Sequence, residues 1–145
     1  MKTGKEIVLI SCASSKKKEP AKAKELYCSS LFIKSKEHAE KYFDKYFILS
    51  AKHGLVDPDK IIGYYNKTLN KMPAVERKEW AKNVFKSLKP LLGKDDKIVF
   101  LAGKRYRDYL EKMLDENGIS HEAPLKNLRI GEQLQRLSKL EKLSK

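Results

Sequence analysis

Cysteine and arginine are scarce in this chain, and long apolar runs are missing. Its two cysteines, Cys12 and Cys28, stand far apart and in no metal-ligand spacing, so reduced thiols and a cytoplasmic location are expected. Met1–Lys5 is followed by only four apolar residues, so no signal peptide is expected, and nothing approaches a membrane span in length. Neither a P-loop pattern nor GxGxxG occurs, which disfavours ATP-driven chemistry and NAD use. No metal cluster and no carboxylate pair stands out, so neither metal nor cofactor is expected. Repeats and internal linkers are absent too. Residues 1–145 are expected to form one α/β domain, with a basic frayed tail over 139–145.

Positive charge is abundant. Lys and Arg number 32 against 19 Asp and Glu, a formal net charge of +13, and charged residues make up 35% of the chain. Such a surplus suits a polyanionic partner, nucleic acid ahead of membrane. Only five of the basic residues are Arg; a lysine-rich surface also arises from solubility or from an AT-rich genome.

Three wholly apolar runs end in small polar residues: Ile7–Ile10 before Ser11, Tyr46–Leu49 before Ser50, and Ile98–Ala102 before Gly103. These read as buried strands of a parallel sheet. A weaker strand is expected over Ile119–Ala123. Helical spacing is strongest from Trp80 to Leu92. A second helical face runs through Tyr106, Leu110 and Leu114, a third starts at Ser29 or Ser30, and a last one follows Gly131. Strand–helix alternation predicts a three-layer α/β/α architecture with a central, mainly parallel sheet of about four strands.

Ligands bind such sheets in the crevice beyond the strand carboxyl ends. Four loops leave those ends: Ser11–Lys16, Ser50–Gly54, Gly103–Tyr106 and Pro124–Gly131. Lys16 is placed to hold a phosphate or, deprotonated, to act as nucleophile or base; a solvated lysine is the plain alternative. Cys12 is either a nucleophile or a small packing residue. His53 is the best general acid or base, with Asp57 near enough to orient it, and a structural loop histidine is the other reading. Ser11, Ser14, Ser15, Ser30, Lys52, Gly54, Gly103 and Gly131 are expected to line the pocket. Tyr27, Tyr65 and above all Tyr64 are candidates for stacking on a base, whereas Tyr106 fits a helix core. His38, set among charges on a helix, reads as a surface residue.

Several segments resemble a family of small bacterial and phage proteins loosely labelled YaaA-like. They are Ser11-Cys12 with Lys16, Leu26-Tyr27 with Ser30-Leu31-Phe32, Ile48 to Leu55, Leu101-Ala102-Gly103 with Tyr106, and Pro124-Leu125 with Ile130-Gly131. The stretch SAKHGL is the most specific of these. The chain is also distantly similar to the catalytic domain of archaeosine synthase, a uracil-DNA-glycosylase-like fold that modifies a deazaguanine base in transfer RNA. Its motif has the form PC-x3-KPY-x2-S-x2-H. Cys12 and Lys16 keep C-x3-K, and Tyr27 and Ser30 keep Y-x2-S. Ser11 replaces the proline, about ten residues separate Lys16 from Tyr27, and Ile33 takes the terminal histidine position.

The resemblance implies a uracil-DNA-glycosylase-like fold and a base-binding pocket. The expected activity is that of an enzyme acting on a nucleobase in DNA or RNA, by excision or modification. A non-catalytic nucleic-acid-binding module and a sensor of a free nucleotide in stress or phage defence are the alternatives.

Overall fold

The computed structural model describes residues 4–12 and 16–143. Ser14 and Ser15, expected at the rim, lie outside them. Strand β1 (Glu6–Ser11) is followed by a two-residue strand β2 (Ala21–Lys22), a short helix α1 (Ala23–Leu26) and helix α2 (Ser30–Tyr42). Ser29 caps α2, its hydroxyl accepting from the Phe32 amide at 3.1 Å. Then come β3 (Lys45–Ser50), β4 (Gly54–Val56), β5 (Ile61–Ile62), a 3-10 turn at Leu69–Lys71, and helix α3 (Ala74–Leu88). Strand β6 (Lys97–Leu101), helix α4 (Lys104–Glu116), strand β7 (Ser120–Glu122) and helix α5 (Ile130–Leu143) complete the chain.

The apolar runs sit in the middle of the sheet because every residue in them loses water on both faces. Val8, Leu9, Ile48, Leu49 and Ile98 are fully buried. The sheet has five strands in the order β4-β3-β1-β6-β7. Strand β1 pairs in parallel with β3 and β6, and β6 in parallel with β7. Only β4 runs antiparallel, folding back on β3 through a tight turn. The sheet therefore has one strand more than the alternation predicts: Gly54–Val56 looks like an exit loop in the sequence but pairs as an edge strand. Helices α2 and α5 pack together, as do α3 and α4. Right-handed crossovers place the two pairs on opposite faces.

From β1 the chain crosses through α2 to β3 on one side, and from β6 it crosses through α4 to β7 on the other. The carboxyl ends of β1 and β6 thus flank the point where the crossovers diverge, and a crevice opens there.

One further expectation is corrected. His38 is buried, at 6% exposure, because it falls on the same helical stripe as Phe32, Ser35 and Ala39. Helix α5 runs as far as Leu143. Among the described residues no helix is long and apolar enough to cross a membrane.

Asp96 fastens the edge where β1 begins. Its carboxylate accepts from the Lys5 and Gly93 amides, each at 2.7 Å. A Cβ at Gly4 would collide with the Asp95 carbonyl, so the chain passes this point only as glycine. The two amide bonds, Lys5 first, hold the Asp96 carboxyl below its ordinary range. Because that folded value is depressed, its contribution is complete above the unfolded value of 3.8 and disappears as pH falls through the lower folded one. Asp96→Asn is expected to cost about 2 kcal/mol at neutral pH. Urea unfolding at pH 7 and below pH 4 checks this: the gap between the two proteins should shrink in acid.

Candidate functional site

The hydroxyl that ends β3 organises the rim. Ser50 is fully buried, and its Oγ accepts from the His53 amide at 3.0 Å and the Lys52 amide at 3.3 Å. Those bonds fold residues 51–53 into the turn that leads to β4. Gly54 then takes a φ of +72°, in the left-handed region where a side chain is strained. The SAKHGL stretch is therefore a capped hairpin turn, in which Ser50 and Gly54 have a backbone reason.

From Ser50 a network spreads over six segments of chain. The Ser50 hydroxyl donates to the Tyr65 hydroxyl at 2.9 Å, and the Tyr65 and Tyr27 hydroxyls share a hydrogen bond of 2.6 Å. Tyr65 also interacts electrostatically with the Cys12 thiol, whose sulfur lies 3.3 Å from the Tyr106 hydroxyl. The Thr68 side chain and Leu69 backbone reach Tyr106 as well. The Trp80 indole N–H donates to the Ser50 carbonyl at 2.9 Å, and its ring meets Tyr106 edge-on at 5.7 Å. Cys12 itself is fixed by its amide, which donates to the Leu49 carbonyl at 2.9 Å.

Lys16 lies over this network. An isolated antiparallel bridge joins it to Tyr27, and the next amide, of Lys17, donates to the Leu26 carbonyl at 2.8 Å. Its ammonium stands 4.5 Å from the Tyr65 ring centroid and 5.9 Å from those of Tyr27 and Tyr64. Three tyrosine rings around one cation make an aromatic cage, in which each ring face attracts the charge. Tyr64 is the outermost, at 51% exposure, while Tyr27 and Tyr65 are buried.

Burial, the largest cause, pushes the Tyr27 phenol up to about 12 and raises Tyr65 and Tyr106 further. All three stay neutral near pH 7 and can offer hydrogen bonds. His53 is lowered, by burial first and then by Lys52 and Lys60, so its exposed imidazole is neutral at physiological pH. It meets the Tyr65 ring edge-on at 5.6 Å. The Asp57 carboxylate accepts from the Asp59 amide at 2.9 Å in its own turn. Among the described residues no bond from it to His53 is found, so the expected orienting role has no structural support. No group of three or more His, Cys, Asp and Glu among them is placed to hold a metal.

Of the residues expected from sequence, Cys12, Lys16, Tyr27, Lys52, His53, Gly54 and Tyr64 belong to this rim or border it. Ser11 is the half-buried last residue of β1, and Gly103 precedes the first turn of α4 with open space around it. Ser30 is exposed in the first turn of α2, and Gly131 is exposed in that of α5. The Pro124–Gly131 loop leaves β7 at the sheet edge, on the far side of β6 from β1. Three loops therefore converge, and no bond among the described residues ties the fourth to them. Two members were missed, Thr68 and Trp80; Ser50 was expected only as the start of a rim loop, and Tyr65 only as a stacking ring beside Tyr64. A hydroxyl closing an apolar strand marks Ser50, and the Tyr64-Tyr65 pair marks one ring inside and one outside. Thr68 and Trp80 carry no comparable signal.

Comparison with known proteins adds the following. The chain is 30% identical over 105 residues to the "Uncharacterized protein YfjM" of Bacillus subtilis (strain 168), an alignment covering 68% of this chain. The matched region spans 65% of that relative's length. No solved structure matches significantly. Residues 7–139 match DUF6884, a family of unknown function, and the chain belongs to that family.

Proposed function

We propose that the protein is a nucleobase-directed enzyme acting on DNA or RNA, with the tyrosine-caged Lys16 as the centre of its pocket. The carrying observation is the cage itself: a cation at 4.5 Å from one ring and 5.9 Å from two others, above a network of neutral hydroxyls. An extruded base needs a π-face to stack on and polar groups for its edge. Tyr64 offers the exposed face, and the Tyr27, Tyr65 and Tyr106 phenols are the donors nearest at hand. Lys16 holds a phosphate as an ammonium or, after giving a proton to neutral His53, adds as an amine to an electrophilic C=N carbon of the ring. The electron pair of that bond moves to the ring nitrogen, which takes up the proton that His53 returns. The surplus of 13 positive charges supplies the attraction for the polymer.

The similarity to archaeosine synthase gains a geometric argument. Its C-x3-K and Y-x2-S halves are separated in this chain, yet Lys16 and Tyr27 are joined by a β-bridge. That juxtaposition supports a pocket of the same kind on a uracil-DNA-glycosylase-like scaffold.

One observation favours a binding module instead. Among the described residues no carboxylate hydrogen-bonds Cys12, Tyr27, Ser50, Tyr65 or Tyr106, so the network lacks a strong base of its own. Mass spectrometry of nucleosides from DNA and transfer RNA incubated with the protein separates the two. A released or altered base supports the enzyme; unchanged nucleosides with binding intact support the module.

A further inference from the structure

A cleft of about 390 Å³ lies beside the Ser50 turn, against α3. Trp80 and Met72, both largely buried, contribute apolar surface to it. Lys52 and Lys67 line it, and so do Glu76 and Glu79, all four exposed. The cleft is linked to the caged lysine through the network beneath it: Trp80 is bonded to Ser50, Ser50 to the Tyr65 whose ring faces Lys16, and Lys52 belongs to the same turn as His53.

The mixed charge is informative. Two carboxylates beside a phosphate-binding rim repel a polyanion, and a DNA sugar-phosphate backbone carries no donor along the chain to compensate them. Towards a nucleic acid they are favourable where a hydrogen bond is donated, by a base amino group or, in RNA, by a ribose 2′-hydroxyl. A nucleotide with an exocyclic amino group satisfies every side of the cleft. Its phosphate meets Lys52 and Lys67, its ring face lies on Trp80 and Met72, and its amino group donates to Glu76 or Glu79. Carboxylates accept from cytosine N4 in this way, whereas thymine and uracil present a carbonyl oxygen at that position and leave the carboxylate facing an acceptor. We propose that this cleft is the subsite for the nucleotide flanking the caged position, and that it selects an amino-bearing base such as cytosine over thymine or uracil. The inference rests on the nucleic-acid reading above and adds a sequence context to it.

Trp80 is the only tryptophan of the chain, so its fluorescence reports from the cleft wall. The test titrates single-stranded dC and dT hexamers into the full-length protein at pH 7.5, with affinity measured in parallel by anisotropy of labelled hexamers. The dC hexamer is expected to bind about tenfold more tightly and to change the Trp80 emission. The Glu76→Gln, Glu79→Gln double variant, altered only at exposed positions, should bring the two affinities together. Equal affinities in the wild type overturn the subsite while leaving the nucleic-acid reading standing. A preference that survives in the double variant overturns the role of the carboxylates and with it the subsite. Failure of both hexamers to bind overturns both this inference and the reading on which it rests.

Discussion

Tyr65→Ala is expected to lower the unfolding free energy by about 4 kcal/mol, the largest loss of any single change at the rim. Two effects add. Removing a ring buried to 5% exposure leaves a cavity beneath Lys16. Removing its hydroxyl also takes away a hydrogen-bond partner of Ser50 and of Tyr27, both buried, and an electrostatic partner of the Cys12 thiol. Tyr65→Phe separates the two: it keeps the ring, loses only the junction, and should cost about 1–3 kcal/mol. Urea denaturation of the three proteins checks the order. If Tyr65→Phe were as damaging as Tyr65→Ala, packing would be minor and the hydroxyl junction would account for the whole effect.

Lys16→Ala is expected to leave the fold nearly intact and to reduce base release or modification by about 100-fold or more. Its contacts with the three rings are cation–π contacts at a half-exposed site, worth about 0.5–1 kcal/mol together with the screening that solvent provides. The stability change is therefore small against the functional one. Lys16→Arg distinguishes the two chemical roles of the residue. A guanidinium still binds phosphate, so partial activity in Lys16→Arg assigns a charge role. Loss equal to that of Lys16→Ala assigns a nucleophilic amine. Nucleoside mass spectrometry with a parallel thermal melt reads both quantities.

The central strands were legible because burial on two faces leaves an unbroken apolar run, and Ile7–Ile10, Tyr46–Leu49 and Ile98–Leu101 have one each. Strand β4 was not, because its three residues follow a turn whose composition looks like loop. The site was legible wherever a residue stands at a strand end or keeps a motif spacing, as Cys12, Lys16 and His53 do. It was not legible where the decision depends on which of two neighbours turns inward. Tyr64 and Tyr65 are chemically the same in the sequence; the β5 segment buries Ile62 and Tyr65 and leaves Ile61 and Tyr64 outside. Tyr106 was assigned to packing on its helical spacing. The structure does bury its ring, yet its hydroxyl reaches Cys12 across 94 positions of sequence, a contact that no local pattern encodes. His38 shows the reverse error: its charged neighbours suggested solvent, while its spacing from Phe32 and Ser35 already put it on the buried stripe.

The claim that a nucleic-acid base sits on the tyrosine cage is tested most directly by photo-crosslinking. A mixed-sequence single-stranded oligonucleotide carrying 5-iodouracil is irradiated with the wild-type protein, and the adduct is mapped by mass spectrometry after trypsin. The adduct is expected on Tyr64, in the tryptic peptide covering residues 61–67. Adducts confined to α2 or α5, or scattered over the lysine-rich surface with none in that peptide, would contradict it.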